Sequence, residues 1–222
     1  MRLGGALIWV AVLAIAAVAT SQGAGSELAL VTSASAANAR AGSPTSPFVL
    51  VIGDSNLFLA DAKVREEIRS VGLQPVMFEV SGKGLKDEDT LFLPRLPAFV
   101  SGGNPAAVVV ALGANDAPDP ANSSTFAARL DKLMPLFGDR PVIWLTHTTK
   151  RPEPAGSGAV AVNTAIRDAP SRWPNLHVLD FGATLDEHPA WIDTDHLHLK
   201  ADGQTAFASA IVREVERVLK RS

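Results

Sequence analysis

The chain has 222 residues, 47% of them hydrophobic, and a formal net charge of -3. That is enough apolar material for one sizeable core, and no basic cluster stands out that would make nucleic acid a partner. The absence of cysteine excludes disulfides, thiolate metal sites and a cysteine nucleophile together.

After Arg2, residues 3–19 carry no charge and are rich in Ala, Val, Leu and Ile, with small residues at Ala17 and Ala19. This pattern predicts a secretory signal peptide over residues 1–19. The apolar run is also close to the lower length limit of a membrane span, so an uncleaved anchor is the alternative. Either way the chain is expected to be secreted or associated with the membrane or cell envelope through this segment. Residues 20–47, rich in Ala, Ser and Gly, are expected to form a flexible linker. Residues 48–222 are expected to form one domain.

In that domain short apolar runs alternate with longer amphipathic ones. Strands are predicted over residues 48–52, 75–80, 106–112, 141–146 and 176–180. Helices are predicted over 61–71, 125–137, 159–169 and 201–220, with a less regular one over 90–100 broken by Pro94 and Pro97. Residues 181–200 have no clear pattern. The alternation implies a three-layer α/β/α sandwich around a five-stranded parallel sheet, with flavodoxin-like strand order 2-1-3-4-5.

That order makes neighbours of the carboxyl ends of the first three strands, where ligands bind in open α/β sheets. Gly53-Asp54-Ser55, Ser81-Gly82-Lys83-Gly84 and Gly113-Ala114-Asn115-Asp116 would converge there. Ser55 is a candidate nucleophile, although Asp54 or Ser55 could equally cap the following helix. A nucleophilic serine needs a base, and the base needs an orienting acceptor. The segment Asp193-Thr194-Asp195-His196-Leu197-His198-Leu199 offers two pairs with that spacing, Asp193 with His196 and Asp195 with His198.

These blocks, in this order, resemble the GDSL, or SGNH, hydrolase family across residues 48–219. The resemblance implies an SGNH hydrolase fold and a serine esterase or lipase. Its last block reads Asp-x-x-His-Leu followed by a glycine five residues after the histidine. That register fits His198 with Gly203 and makes His198 the general base, Asp195 its partner and Ser55 the nucleophile. It also implies an oxyanion hole formed by the Ser55 amide, the Gly82 amide and the Asn115 side chain, with Gly84 as the alternative glycine. Asp54 and Asp116 would shape their loops by accepting backbone amides. His196 and Asp193 could also be taken as part of a metal cluster, but the ordered blocks already account for this segment, so neither metal nor cofactor is expected.

The expected function is an exported esterase cleaving acetyl or short-chain esters of a small molecule or glycan. An O-acetyltransferase or deacetylase acting on cell-envelope polysaccharide would use the same triad. A non-catalytic surface binding module is the rival from another class.

Overall fold

Val49, Leu50, Val51 and Ile52 are all fully buried, as an apolar run without alternation requires of a strand covered on both faces. They belong to β1 (Phe48–Gly53) in a computed structural model that describes residues 47–220. The expected leader, and all of the expected linker but its last residue, lie outside the described residues. The other strands are β2 (Gln74–Glu79), β3 (Ala107–Ala111), β4 (Val142–Leu145) and β5 (Leu176–Leu179). All pair in parallel, in the order β2-β1-β3-β4-β5.

Among the described residues, six α-helices flank the sheet: α1 (Ser55–Ser70), α2 (Leu93–Ser101), α3 (Pro120–Leu133), α4 (Ala155–Asp168), α5 (Phe181–Glu187) and α6 (Ala201–Leu219). The pleat sorts β1 between two cores. Leu50 and Ile52 pack with residues of α2, α3 and α4, whereas Val49 and Val51 pack with residues of α1, α5 and α6. This is the three-layer sandwich. Burying each such aliphatic side chain contributes about 1.5–3 kcal/mol. Among the described residues, no helix is long and apolar enough to cross a membrane.

Three expectations need correction. The first helix starts at Ser55 rather than at residue 61. The following apolar run conceals its start because Phe58 and Leu59 are 60% and 44% exposed and break the periodicity. The helix α3 starts at Pro120, not 125. Asp119 caps it by accepting the Ala121 amide, and proline fits the first helical turn, where no backbone donor is needed. The segment left irregular after β5 contains α5, whose Phe181 and Leu185 are buried one turn apart. Between β2 and β3, a π-helical turn (Glu88–Phe92) precedes α2. Pro94 stands in the first turn of α2 and Pro97 inside it, so the expected break is a change of helix type.

Candidate active site

Gly53 ends β1 and Ser55 begins α1, so a single residue, Asp54, makes the turn between them. Asp54 is the N-cap, its Oδ1 accepting the Asn56 amide at 3.0 Å. The capping and nucleophile readings of this motif are therefore compatible: the cap holds the first helical residue at the rim of the sheet. At the first helical position the Ser55 amide has no intrahelical acceptor, and the positive end of the helix dipole lies there.

His198 arrives from a segment 143 residues away, its Nε2 2.9 Å from Ser55 Oγ. On the other side of the ring, Nδ1 is 2.5 Å from Asp195 Oδ2. A carboxylate can only accept, so Nδ1 carries the hydrogen and Nε2 is left to accept from the serine hydroxyl. The other Asp195 oxygen, Oδ1, accepts the Leu197 and His198 amides, both at 2.9 Å. Led by the His198 amide and aided by its ring and the Leu197 amide, these bonds pull Asp195 down to about 2. The alternative register is not formed: Asp193 Oδ1 accepts the Thr194 amide instead. His196 is exposed, with a left-handed backbone at φ 58°.

Asn56, which the sequence motifs do not mark, fastens this loop to α1, the helix that begins at Ser55. Its Nδ2 donates to the Leu197 carbonyl at 3.1 Å, and its Oδ1 accepts the Leu199 amide at 3.0 Å. The two bonds bracket His198. Asn56→Ala would remove both and leave the buried Leu199 backbone short of a partner, a loss of about 1–3 kcal/mol. Because small misplacements of a base are amplified in rate, kcat for an acetyl ester should fall about 10- to 100-fold with KM changed little. Steady-state kinetics beside a thermal melt checks this, and an unchanged kcat would show that Asn56 does not position the base.

The second and third blocks meet the first as expected. Gly82 lies just beyond β2 with φ +72°, a left-handed conformation natural to glycine. Its amide has no hydrogen-bond partner among the described residues. The Gly84 amide, by contrast, donates to Asp87 Oδ2 at 3.0 Å, and a Cβ on Gly84 would collide with the Asp116 carboxylate. Asp116 is fully buried and accepts the Leu85 and Lys86 amides, the loop-shaping role expected of it. Burial nevertheless holds it above the usual carboxylate value.

Asn115 Nδ2 donates to Asp54 Oδ2 and to the Lys83 carbonyl, each at 3.0 Å. Its two amide hydrogens are thus engaged within the site. Asp54 is only 2% exposed; burial pushes its carboxyl up to about 6, against the lowering effect of the Asn56 amide.

Three further aromatic side chains are structural or peripheral. His147 is half-buried, its Nε2 3.0 Å from the Leu112 carbonyl, and desolvation of the ring lowers it to about 4, so the ring is neutral at physiological pH. Trp144 is fully buried, while Trp191 is half-buried and stacked on His188 at 4.1 Å.

The fold recurs in solved structures. One is a lipase/acylhydrolase from Enterococcus faecalis, with TM-score 0.60 and 21% identity, covering 76% of this chain and 95% of that one. A second is the C-terminal catalytic domain of peptidoglycan O-acetyltransferase A from Streptococcus pneumoniae with a methylsulfonyl adduct. It aligns with TM-score 0.62 and 18% identity over 78% of this chain and 94% of that one. A third is a catalytic mutant of an acetylxylan esterase from Geobacillus stearothermophilus, with TM-score 0.61 and 18% identity over 78% and 95%. No curated protein sequence matches the chain. The sequence pattern of the GDSL-like Lipase/Acylhydrolase family does match, over residues 58–206. That span begins just past Ser55, takes in Asn115, Asp195 and His198, and exceeds half the chain. The chain therefore belongs to the GDSL-like lipase/acylhydrolase family of ester-acting hydrolases.

Proposed function

We propose that the chain is an exported serine esterase that removes acetyl or other short acyl groups through an acyl-enzyme on Ser55. The observation that carries this reading is the unbroken line from the Ser55 hydroxyl through the His198 ring to the Asp195 carboxylate. Ser55 Oγ attacks the ester carbonyl as its proton passes to His198 Nε2, and the imidazolium that forms faces Asp195. Collapse of the tetrahedral intermediate breaks the bond to the alcohol oxygen, which leaves with the proton from Nε2. Water then attacks the acyl-enzyme, gives a proton to Nε2, and the acid departs as the serine recovers its hydrogen.

The developing oxyanion is met by the Ser55 and Gly82 amides, neither of which has a partner among the described residues. Asn115 joins them by exchanging its exposed Lys83 carbonyl contact for the substrate oxygen, while its bond to Asp54 keeps the amide aimed. This arrangement makes Asp54 a positioning residue with a pH signature. Below about 6 its carboxyl takes up a proton, weakening the acceptor that orients Asn115 and removing a negative charge near the imidazolium. The log kcat profile for an acetyl ester should therefore include an ionisation near pH 6 on its acid limb. That ionisation should be missing from Asp54→Asn. A profile that is flat from pH 8 to 5 would contradict the assignment.

Export is supported by the uncharged apolar segment after Arg2, and a cell-envelope location follows if that segment is kept as an anchor. The open site favours a bulky substrate: the His198 and Asp195 side chains are 35% and 47% exposed, so a glycan ester has access to them. An O-acetyltransferase or deacetylase acting on envelope polysaccharide uses the same acyl-enzyme, with a sugar hydroxyl in place of water for transfer. Partition of the acyl group between water and an added glycan separates hydrolysis from transfer. A purely binding module would have no use for a serine hydroxyl in contact with an oriented imidazole.

A further inference from the structure

Arg151 follows β4 on the loop that leads to α4 and is half-buried. Its Nη1 donates to the Ala114 carbonyl at 2.7 Å, so the guanidinium abuts the residue that precedes Asn115. It is attracted by the carboxylates of Asp195 and Asp54, which flank the Ser55–His198 pair, yet forms an ion pair with neither. Its Nε and Nη2 have no acceptor among the described residues.

The loop that presents it is fixed from beneath. Asp186 accepts the Thr148 hydroxyl at 2.5 Å, and the Thr149 amide and hydroxyl at 3.0 and 2.6 Å. The Arg151 amide in turn donates to the Thr149 carbonyl at 2.9 Å. A long cationic side chain is thus held against the loop that carries Asn115, within reach of the Asp54 and Asp195 charges, with one planar edge free of partners among the described residues, the geometry that matches a carboxylate in bidentate fashion. The rim already carries Asp54, Asp116 and Asp195, which would repel an anionic substrate unless a cation met it.

We propose that Arg151 is a substrate-binding residue that selects esters carrying a carboxylate close to the scissile bond, through the open Nε–Nη2 edge of its guanidinium. This rests on the Ser55 esterase reading and adds to it the chemical class of the substrate: an ester of an acidic sugar or other carboxylated alcohol, or an acyl group that itself ends in a carboxylate.

The test is a ratio of kcat/KM values, in which any general loss of activity cancels. For a carboxylate on the alcohol, 4-acetoxybenzoate is compared with neutral 4-acetoxybenzamide. For one on the acyl group, 4-nitrophenyl hemisuccinate is compared with 4-nitrophenyl methyl succinate. At low salt the wild-type chain should favour the anionic member of one pair by about tenfold, and the pair concerned tells which side of the ester bears the charge. The preference should fall to about one in Arg151→Gln and be partly kept in Arg151→Lys, with fluorophosphonate labelling of Ser55 showing that the site is still assembled in each. Ratios near one in the wild type for both pairs, or ratios unchanged in Arg151→Gln, would overturn the role of Arg151 while leaving the esterase intact. Failure of the wild type both to cleave the neutral esters and to react with the fluorophosphonate would overturn the esterase reading, and this inference with it.

Discussion

Replacing Ser55 by alanine should lower kcat/KM for an activated acetyl ester by about four orders of magnitude or more, while the melting temperature stays within a few degrees of wild type. The size follows from what the variant removes. Without Oγ no acyl-enzyme forms, and the oxyanion donors and the imidazole are left to assist direct attack by water, a far weaker route. The fold should survive because the Ser55 side chain contributes nothing to either core. The cap on α1 comes from Asp54 rather than from Ser55. Circular dichroism with steady-state kinetics checks both halves. A variant that is folded and retains even a tenth of wild-type turnover would mean that another group is the nucleophile.

Asp195→Asn is the second large loss, of about 10³- to 10⁴-fold in kcat, and it acts through the position of one proton. In the native chain the carboxylate makes His198 carry its hydrogen on Nδ1, leaving Nε2 to take the serine proton. An asparagine oxygen could still accept the Leu197 and His198 amides now bound by Oδ1, so the loop should keep its shape. The atom facing Nδ1 would then be an NH₂ donor. The ring would answer with its other tautomer, its hydrogen on Nε2, where it can no longer act as base toward Ser55. The loss should appear in kcat more than in KM, because substrate meets the serine and the oxyanion donors rather than Asp195. A fall of less than about tenfold would show that His198 is oriented by something else.

Much of this site was legible in the sequence because its determinants are local. Gly53-Asp54-Ser55 follows an unbroken apolar run, which marks both a buried strand and its exit. The choice of Asp195 over Asp193 came from a family register, and the structure supplies its physical basis: Asp193 spends an oxygen on the Thr194 amide, whereas Asp195 gathers three donors. The sheet order was equally accessible, since right-handed crossovers between parallel strands leave few arrangements open. The sequence left Gly82 and Gly84 unresolved because both glycines follow β2. Only the third dimension shows the Gly84 amide donating to Asp87 and the Gly82 amide unpaired.

What the sequence concealed lies in contacts between distant segments and in helix starts that have no periodicity. Asn56 reads as an ordinary residue after a serine until the chain folds and places Leu197 and Leu199 on either side of its amide. The beginning of α1 was hidden because Phe58 and Leu59 face solvent, against the rule by which apolar residues announce a buried face. Asn115 shows the converse. Its block points to the rim beside Asp54, but not to the engagement of both amide hydrogens by Asp54 and Lys83 in the resting site.

Ser55 as the reactive centre, activated by His198, can be tested in one labelling measurement: intact-mass and peptide analysis of the chain after brief exposure to a fluorophosphonate probe. A single adduct on Ser55 is expected in the wild type, none in Ser55→Ala, and much slower labelling in His198→Ala. An adduct on a different residue, or no adduct on the folded wild-type chain, would contradict it.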